Sequence, residues 1–211
     1  AIKDLRKKFP IKSKRVDYAI GAEKIKICRI IFKKFKPTQE FKKFIQKNDY
    51  WIEDYALFRA LKSYYQEKPW KDWKKIHRNK DKKSLEIFRE KNQEEILFWQ
   101  WIQWQLFKQL KSVKDYAQKK RVFLKGDLPL LVSEDSADCW SKNDYFKKNI
   151  VSGSPPDLFS KQGQRWGMPP YNWNNILKDK FKYFSQRLEY AQNFYDIFRI
   201  DHVVGLFRMW S

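Results

Sequence analysis

Through the first 120 residues, apolar positions recur every three to four residues, the spacing of a helix that buries one face. In "AEKIKICRIIFKKF" (22–35) the buried set is Ile25, Cys28, Ile31/Phe32 and Phe35. Pro37 follows that helix, and Thr38 is placed to cap the next one, "QEFKKFIQK". "WIEDYALFRALKSYY" (51–65) continues the period through Ile52, Tyr55, Phe58 and Leu61. "QEKPWKDWKKIHRNKD" (66–81) is polar and carries Pro69, so it is expected to be a loop or lobe tip with His77 on the surface. From Ser84, expected as a cap, a pattern free of Gly and Pro runs to residue 120 and predicts one helix of roughly 50 Å. Trp99, Trp101, Trp104 and Phe107 fall on more than one of its faces, so its middle is expected to be enclosed by other elements.

The pattern changes at residue 121. "RVFLKGDLPLLVS" is a short β-rich run broken by Gly126 and Pro129, and "EDSADCWSKNDYF" reads as a helical turn. Residues 147–173 form a long connection holding Pro155, Pro156, Pro169, Pro170, Gly153, Gly163 and Gly167. Residues of this kind fix particular backbone angles, so the loop is expected to be shaped, and its aromatics Phe159, Trp166, Tyr171 and Trp173 either pack or meet a flat apolar ligand such as a sugar face. "FKYFSQRLEYAQNF" is helical again, "YDIFRID" is strand-like, and "HVVGLFRMWS" opens another helix or loop. Strand, loop, helix, strand is a βαβ unit and implies a parallel sheet, hence an α/β fold.

Composition narrows the class. An 18% aromatic content with 42% hydrophobic residues suffices for a packed core, and no apolar run reaches the ~18 residues of a membrane span. The start has neither an initiator Met nor a signal-peptide pattern, so the chain is expected to be cut from something longer. Cys28 and Cys139 lack metal-ligand or disulfide-framework spacing, which points to a reducing, cytoplasmic setting. The net charge of +21 is concentrated in residues 1–120, where 33 Lys and Arg face 15 Asp and Glu. Such a charge raises nucleic acid as a partner, but Lys outnumbers Arg 35 to 11 and is scattered along helical patterns, which favours a solvated surface over a phosphate-reading one. Neither nucleic acid nor membrane is an expected partner, and with two His a zinc site is not expected.

In a parallel sheet, chemistry collects at the carboxyl ends of the strands. Asp127 follows "VFLKG" and Asp201 follows "YDIFRI". Side chains alternate along "FRID", so Arg199 and Asp201 share a side, and the guanidinium holds the carboxylate ionised. An ionised, positioned carboxylate can attack an anomeric carbon. On spacing alone, Arg199 and Asp201 equally suit a structural ion pair, Asp127 a plain strand end, and His202 a satisfied structural histidine.

"GDLPLLVSEDSADCW" (126–140), "SGSPPDLFSKQGQRWGMPPYNW" (152–173) and "FRIDHVVGLFRMW" (198–210), with "RVDYAIGAEKIKICRIIFKKF" and "DYWIEDYALFRALK" upstream, resemble the amylomaltases or disproportionating enzymes, the 4-alpha-glucanotransferases of glycoside hydrolase family 77. The resemblance runs over nearly the whole chain. It implies part of a (β/α)8 barrel with an inserted helical subdomain: 1–120 as the insertion and a barrel helix, 121–211 as central strands and loops. It implies Asp201 as the catalytic nucleophile, Arg199 as its holder and a sugar contact, and His202 and Asp127 in the same strand-end cluster. The loop around Asp157, Phe159, Gln164 and Trp166 would be a lid over the glucan. Leu158 stands where many members have Tyr, which argues against an aromatic platform there. The implied substrates are a maltooligosaccharide or glycogen-type glucan and a glucose acceptor, with no cofactor or metal. The acid/base Glu, a further Asp with its neighbouring His, and the first barrel strands would all lie outside residues 1–211. The chain is therefore expected to be an internal piece that is inactive by itself. The alternatives are a non-catalytic glucan-binding fragment and, on charge alone, a basic nucleic-acid-binding protein.

Overall fold

The computed structural model describes residues 2–10, 12 and 14–211. Seven helices come first: α1 (Ile2–Lys8), α2 (Ile20–Phe32), α3 (Gln39–Lys47), α4 (Asp49–Tyr64), α5 (Lys75–Arg78), α6 (Lys82–Lys91) and α7 (Gln93–Lys119). Then follow β1 (Lys125–Leu128), α8 (Ala137–Ser141), the short strands β2 (Gly153–Ser154) and β3 (Gln164–Arg165), α9 (Trp173–Lys178), α10 (Lys182–Ala191) and β4 (Ile197–Ile200). Single 3-10 turns occupy Trp70–Asp72, Asn143–Tyr145 and Val203–Leu206. None of the described helices is long and apolar enough to cross a membrane.

The helical period translates directly into packing. Phe32, Phe41, Phe44, Ile52, Phe98 and Trp101 from α2, α3, α4 and α7 form one core, and Trp99 and Trp104 are buried with them. Each such side chain contributes on the order of 1.5–3 kcal/mol by leaving water. Thr38 caps α3 as its position suggests, its hydroxyl accepting from the Phe41 N–H at 3.2 Å. One polar hub joins three helices inside this apolar frame. The Glu95 carboxylate on α7 accepts both Arg29 amines from α2 (2.6 and 2.7 Å), the Ser63 hydroxyl from α4 (2.9 Å) and the Trp99 indole N–H (2.8 Å).

Two helical expectations are corrected. The single helix from Ser84 breaks at Asn92 into α6 and α7. Asn92 leaves helical geometry (φ −125°, ψ 28°), and its side-chain amide donates to the Phe88 carbonyl, the competition by which Asn ends helices. The cap of α6 is Asp81, which accepts from the N–H and hydroxyl of Ser84, so Ser84 is the donor and not the cap. Residues 66–81 are not a bare loop, and His77 is not on the surface: it is buried. Its Nδ1 lies 2.8 Å from the Tyr65 hydroxyl, and its carbonyl accepts the Trp140 indole N–H at 3.1 Å. The hydrophobic signal lay in Trp73 and Trp140, which pack with Phe58, Leu61 and Phe88 and draw the lobe inward.

β1 and β4 pair in parallel with Lys125, Gly126, Asp127 and Leu128 opposite Ile197, Phe198, Arg199 and Ile200. The expected βαβ unit is thus present, with α10 as the crossover helix. The 121–133 run is strand only over four residues. Both strands are fastened at their starts: the Asp196 N–H donates to the Leu124 carbonyl (2.8 Å), and the Asp196 carboxylate accepts the Leu124 N–H (3.0 Å). Lys114 of α7 reaches the same point, donating to the carbonyls of Gln192 and Tyr195 at 2.9 Å each and lying 3.4 Å from Asp196. Among the described residues the sheet has these two strands, and β2 pairs antiparallel with β3 in a separate hairpin.

Candidate active site

The in-register pairing puts Asp127 directly across from Arg199 at the carboxyl end of the sheet. Arg199 lies 3.5 Å from the Asp127 carboxylate and donates to the Asp201 carboxylate at 2.5 Å. One guanidinium therefore spans both strand ends and holds two carboxylates. Arg199 and Asp201 do share a side, as alternation along the strand requires. The hydrogen bond from Arg199, with its charge, keeps the Asp201 carboxyl below the usual carboxylate range, and the peptide N–H of His202 adds to the effect. The same pair raises the pKa of Arg199 further.

Asp201 and His202 open onto a cavity of about 420 Å³ whose other walls are Pro129, Leu130, Leu131, Trp166 and Met168. That volume lies within the range of small-ligand pockets, about 300–1,000 Å³. The lining is mostly apolar, with the Asp201 carboxylate and the His202 imidazole as its polar members, an arrangement suited to a sugar ring whose face packs while its ring carbon meets a carboxylate. His202 has φ 51°, a left-handed backbone. Its ring meets the Trp166 indole edge-to-face, with centroids 4.9 Å apart at 88°. Trp166 in turn donates its indole N–H to Gln164 of β3 at 3.0 Å.

Asp127, Arg199, Asp201, His202, Trp166 and Gln164 are thus brought together. Asp157 and Phe159 are not. Asp157 caps its own turn, accepting from the Phe159 and Ser160 N–H groups at 2.8 and 2.6 Å. Phe159 is 96% exposed and Leu158 97%, so the loop tip stands in solvent away from the cavity. Of the other loop aromatics, Tyr171 is buried and packs against Phe146 and Phe184. Arg187 of α10 is a further member of the site's frame. It donates to the Pro129 carbonyl (2.7 Å) and to the Tyr171 hydroxyl (3.1 Å), while that hydroxyl donates to the Leu130 carbonyl. This relay fixes the segment leaving β1. Nothing in the helical pattern around Arg187 marks it out; only the pairing of α10 with Pro129 does. Among the described residues no group of three or more His, Cys, Asp or Glu could hold a metal ion.

The family model for 4-alpha-glucanotransferases, glycoside hydrolase family 77, matches residues 1–211. The chain belongs to that family. A 4-alpha-glucanotransferase of Chlamydia caviae is 39% identical over 172 residues, covering 82% of this chain and 32% of its own length. One from Clostridium butyricum is 36% identical over 215 residues, covering 97% of this chain and 44% of its own. Among solved structures, the amylomaltase from Streptococcus agalactiae in complex with acarbose superposes with a TM-score of 0.86 at 27% identity, over 99% of this chain and 46% of that one. The chain thus spans less than half the length of these glucanotransferases. The family resemblance drawn from the three downstream motifs is borne out, as is the α/β class.

Proposed function

We propose that this chain carries the nucleophile side of a 4-alpha-glucanotransferase acting on alpha-1,4-glucans, with Asp201 as the nucleophile. The observation that carries the reading is the Arg199–Asp201 pair on a strand end at the mouth of an apolar cavity, in a chain of this family. The Asp201 carboxylate attacks the anomeric carbon of a bound glucan, forming a C1–O ester while the bond to the leaving 4-oxygen breaks. A second carboxyl group about 5–5.5 Å away must protonate that oxygen. Asp201 cannot supply that proton, because Arg199 keeps it ionised. The resemblance assigns the proton to a Glu on a later strand. The 4-hydroxyl of a second glucan or of glucose then attacks C1, gives its proton to the same Glu, and releases Asp201. No step calls for a metal or cofactor.

The remaining assignments follow the same reading. Arg199 orients Asp201 and contacts the sugar, and Asp127 anchors Arg199. His202, Trp166 and Gln164 shape the cavity wall. Asp157 and Phe159 belong to a lid whose exposed tip gains partners when a glucan lies beneath it, and exclusion of water there favours transfer over hydrolysis. The strand pair and α10 form one βαβ unit of a (β/α)8 barrel, with residues 1–120 as inserted helical subdomain and barrel helix and 121–211 as its central strands and loops. The reducing cytoplasm, to which the spacing of Cys28 and Cys139 points, is the matching compartment.

alpha-Maltotriosyl fluoride tests the assignment, because fluoride leaves without a proton donor. Wild type is expected to release fluoride and gain one maltotriosyl group on the peptide containing Asp201, read by mass spectrometry. Asp201→Asn should do neither. Labelling elsewhere, or undiminished labelling of Asp201→Asn, would remove Asp201 from the role.

A further inference from the structure

The residue after the nucleophile is held in a conformation it does not choose. His202 is a non-glycine residue at φ 51°, a region that L side chains enter at a cost of about 1–2 kcal/mol. The N–H of this same residue bonds the Asp201 carboxylate, so where His202 sits bears on where the carboxylate sits. Two contacts oppose its relaxation. On one side, the Trp166 indole meets the imidazole edge-to-face at 4.9 Å. On the other lies Gly205, whose N–H donates to the His202 carbonyl at 2.9 Å. A methyl group at Gly205 would come within 2.9 Å of the His202 ring and 2.5 Å of the Leu130 and Met209 side chains, so a side chain there would press on the imidazole and its neighbours.

Trp166 belongs to the other end of the site. It follows β3, donates to Gln164, and its N–H pairs with the carbonyl of Ser152 at 2.9 Å. The β2–β3 hairpin that carries it is also tied to the segment beyond the nucleophile, because the Gly153 N–H donates to the Trp210 carbonyl at 2.9 Å. The root of the lid loop therefore rests on the turn that carries Asp201. The charged group facing Asp201 is Arg199 from β4, with Asp127 of β1 behind it, and the titratable neighbour is His202 itself. From the loop side Trp166 and Met168 bring no charge.

We propose that Trp166 is a positioning residue for the nucleophile: by clamping His202 in its left-handed turn it holds the Asp201 carboxylate in place, so that the lid root and the nucleophile move as one unit. This rests on the assignment of Asp201 above and adds to it a route by which lid and nucleophile communicate. A wall residue that only touched the glucan would affect binding. A residue acting through His202 changes the orientation and ionisation of Asp201 instead.

Single-turnover release of fluoride from alpha-maltotriosyl fluoride, followed against donor concentration and pH, separates the two. Trp166→Ala is expected to lower the maximal rate about 10- to 100-fold, the scale of a 1 Å misplacement, with half-saturation little changed. Its acid limb should move to higher pH, because the carboxylate loses the His202 N–H. Trp166→Phe, which keeps an aromatic edge for the imidazole, should restore both. His202→Asn tolerates the left-handed turn but removes the ring. On that background Trp166→Phe and Trp166→Ala should behave alike, which keeps the test usable should Trp166→Ala alone fold poorly. A rise in half-saturation with rate and acid limb unchanged, or an unaltered Trp166 effect on the His202→Asn background, would overturn the proposal. Undiminished fluoride release by Asp201→Asn would instead overturn the nucleophile assignment.

Discussion

Lys62 of α4 and Asp135, just before α8, meet at 2.8 Å across the boundary between the helical half of the chain and the segment that leaves β1. The lysine side chain is only 7% exposed. It also donates to the carbonyls of Glu67 (2.8 Å) and Lys68 (3.0 Å), where Gln66 and Glu67 take left-handed backbone angles. Lys62→Met keeps the stem and removes the donor, leaving two carbonyls and a one-third exposed carboxylate without it. A loss of about 2–3 kcal/mol in urea unfolding is expected, less than for a wholly buried pair. A loss below about 0.5 kcal/mol would show that water replaces the lysine at no cost.

His77 gives the helical half a pH dependence. Burial, with the nearby Lys74 charge, pushes its pKa below the ordinary value of about 6.5. A histidine depressed in the folded state contributes its full stability above the unfolded value and loses it as the pH falls through 6.5 toward the folded pKa. Melting temperature should therefore drop more between pH 7 and pH 5 in wild type than in His77→Gln. Parallel curves for the two proteins would exclude His77 as the cause.

Gly163 closes the β2–β3 hairpin with φ 71°, and a methyl group there would lie 2.5 Å from the Ser154 carbonyl oxygen. Gly163→Ala must shift that backbone, at a cost of about 1–3 kcal/mol. Amide exchange at Gly153 and Trp166 should accelerate while exchange in α7 stays as it was. Uniform acceleration would mean that the hairpin does not open as a separate unit.

Arg199 sets the working range of Asp201. Its hydrogen bond lowers the Asp201 pKa, so this carboxylate stays charged further into acid than an ordinary one. Arg199→Gln removes the charge, raises that pKa and should move the acid limb of fluoride release to higher pH, besides slowing the reaction by about tenfold or more. An unmoved limb would mean that Asp201 owes its ionisation to some other group.

How much of this was legible beforehand follows from the range of the forces involved. Thr38 and the Phe32–Phe41–Trp101 core were readable because capping and the 3.6 period are local. Asp127 and Arg199 could be placed at strand ends from the chain, but their pairing is a matter of register between strands 72 residues apart in sequence, which no local pattern states. The break at Asn92 was missed because a single side-chain amide outweighed a long propensity pattern. His77 was misplaced because its polar neighbours concealed two tryptophans that bury the lobe. Arg187 gave no signal at all, since its acceptors are a backbone carbonyl, which any sequence possesses, and a tyrosine hydroxyl brought to it only by the fold.

The fastening at Lys114 and Asp196 has a consequence for how such a site can evolve. Both strands leave from one knot: Asp127 lies three residues beyond Leu124 and Asp201 five beyond Asp196, roughly 10 and 16 Å of extended chain. Over so short a distance neither can fall out of step with the other. The placement of the strand-end carboxylates is thus decided at the opposite end of the sheet, by Lys114 and Asp196. Loops beyond the strand ends are then free to vary in length and chemistry while the carboxylates keep their address.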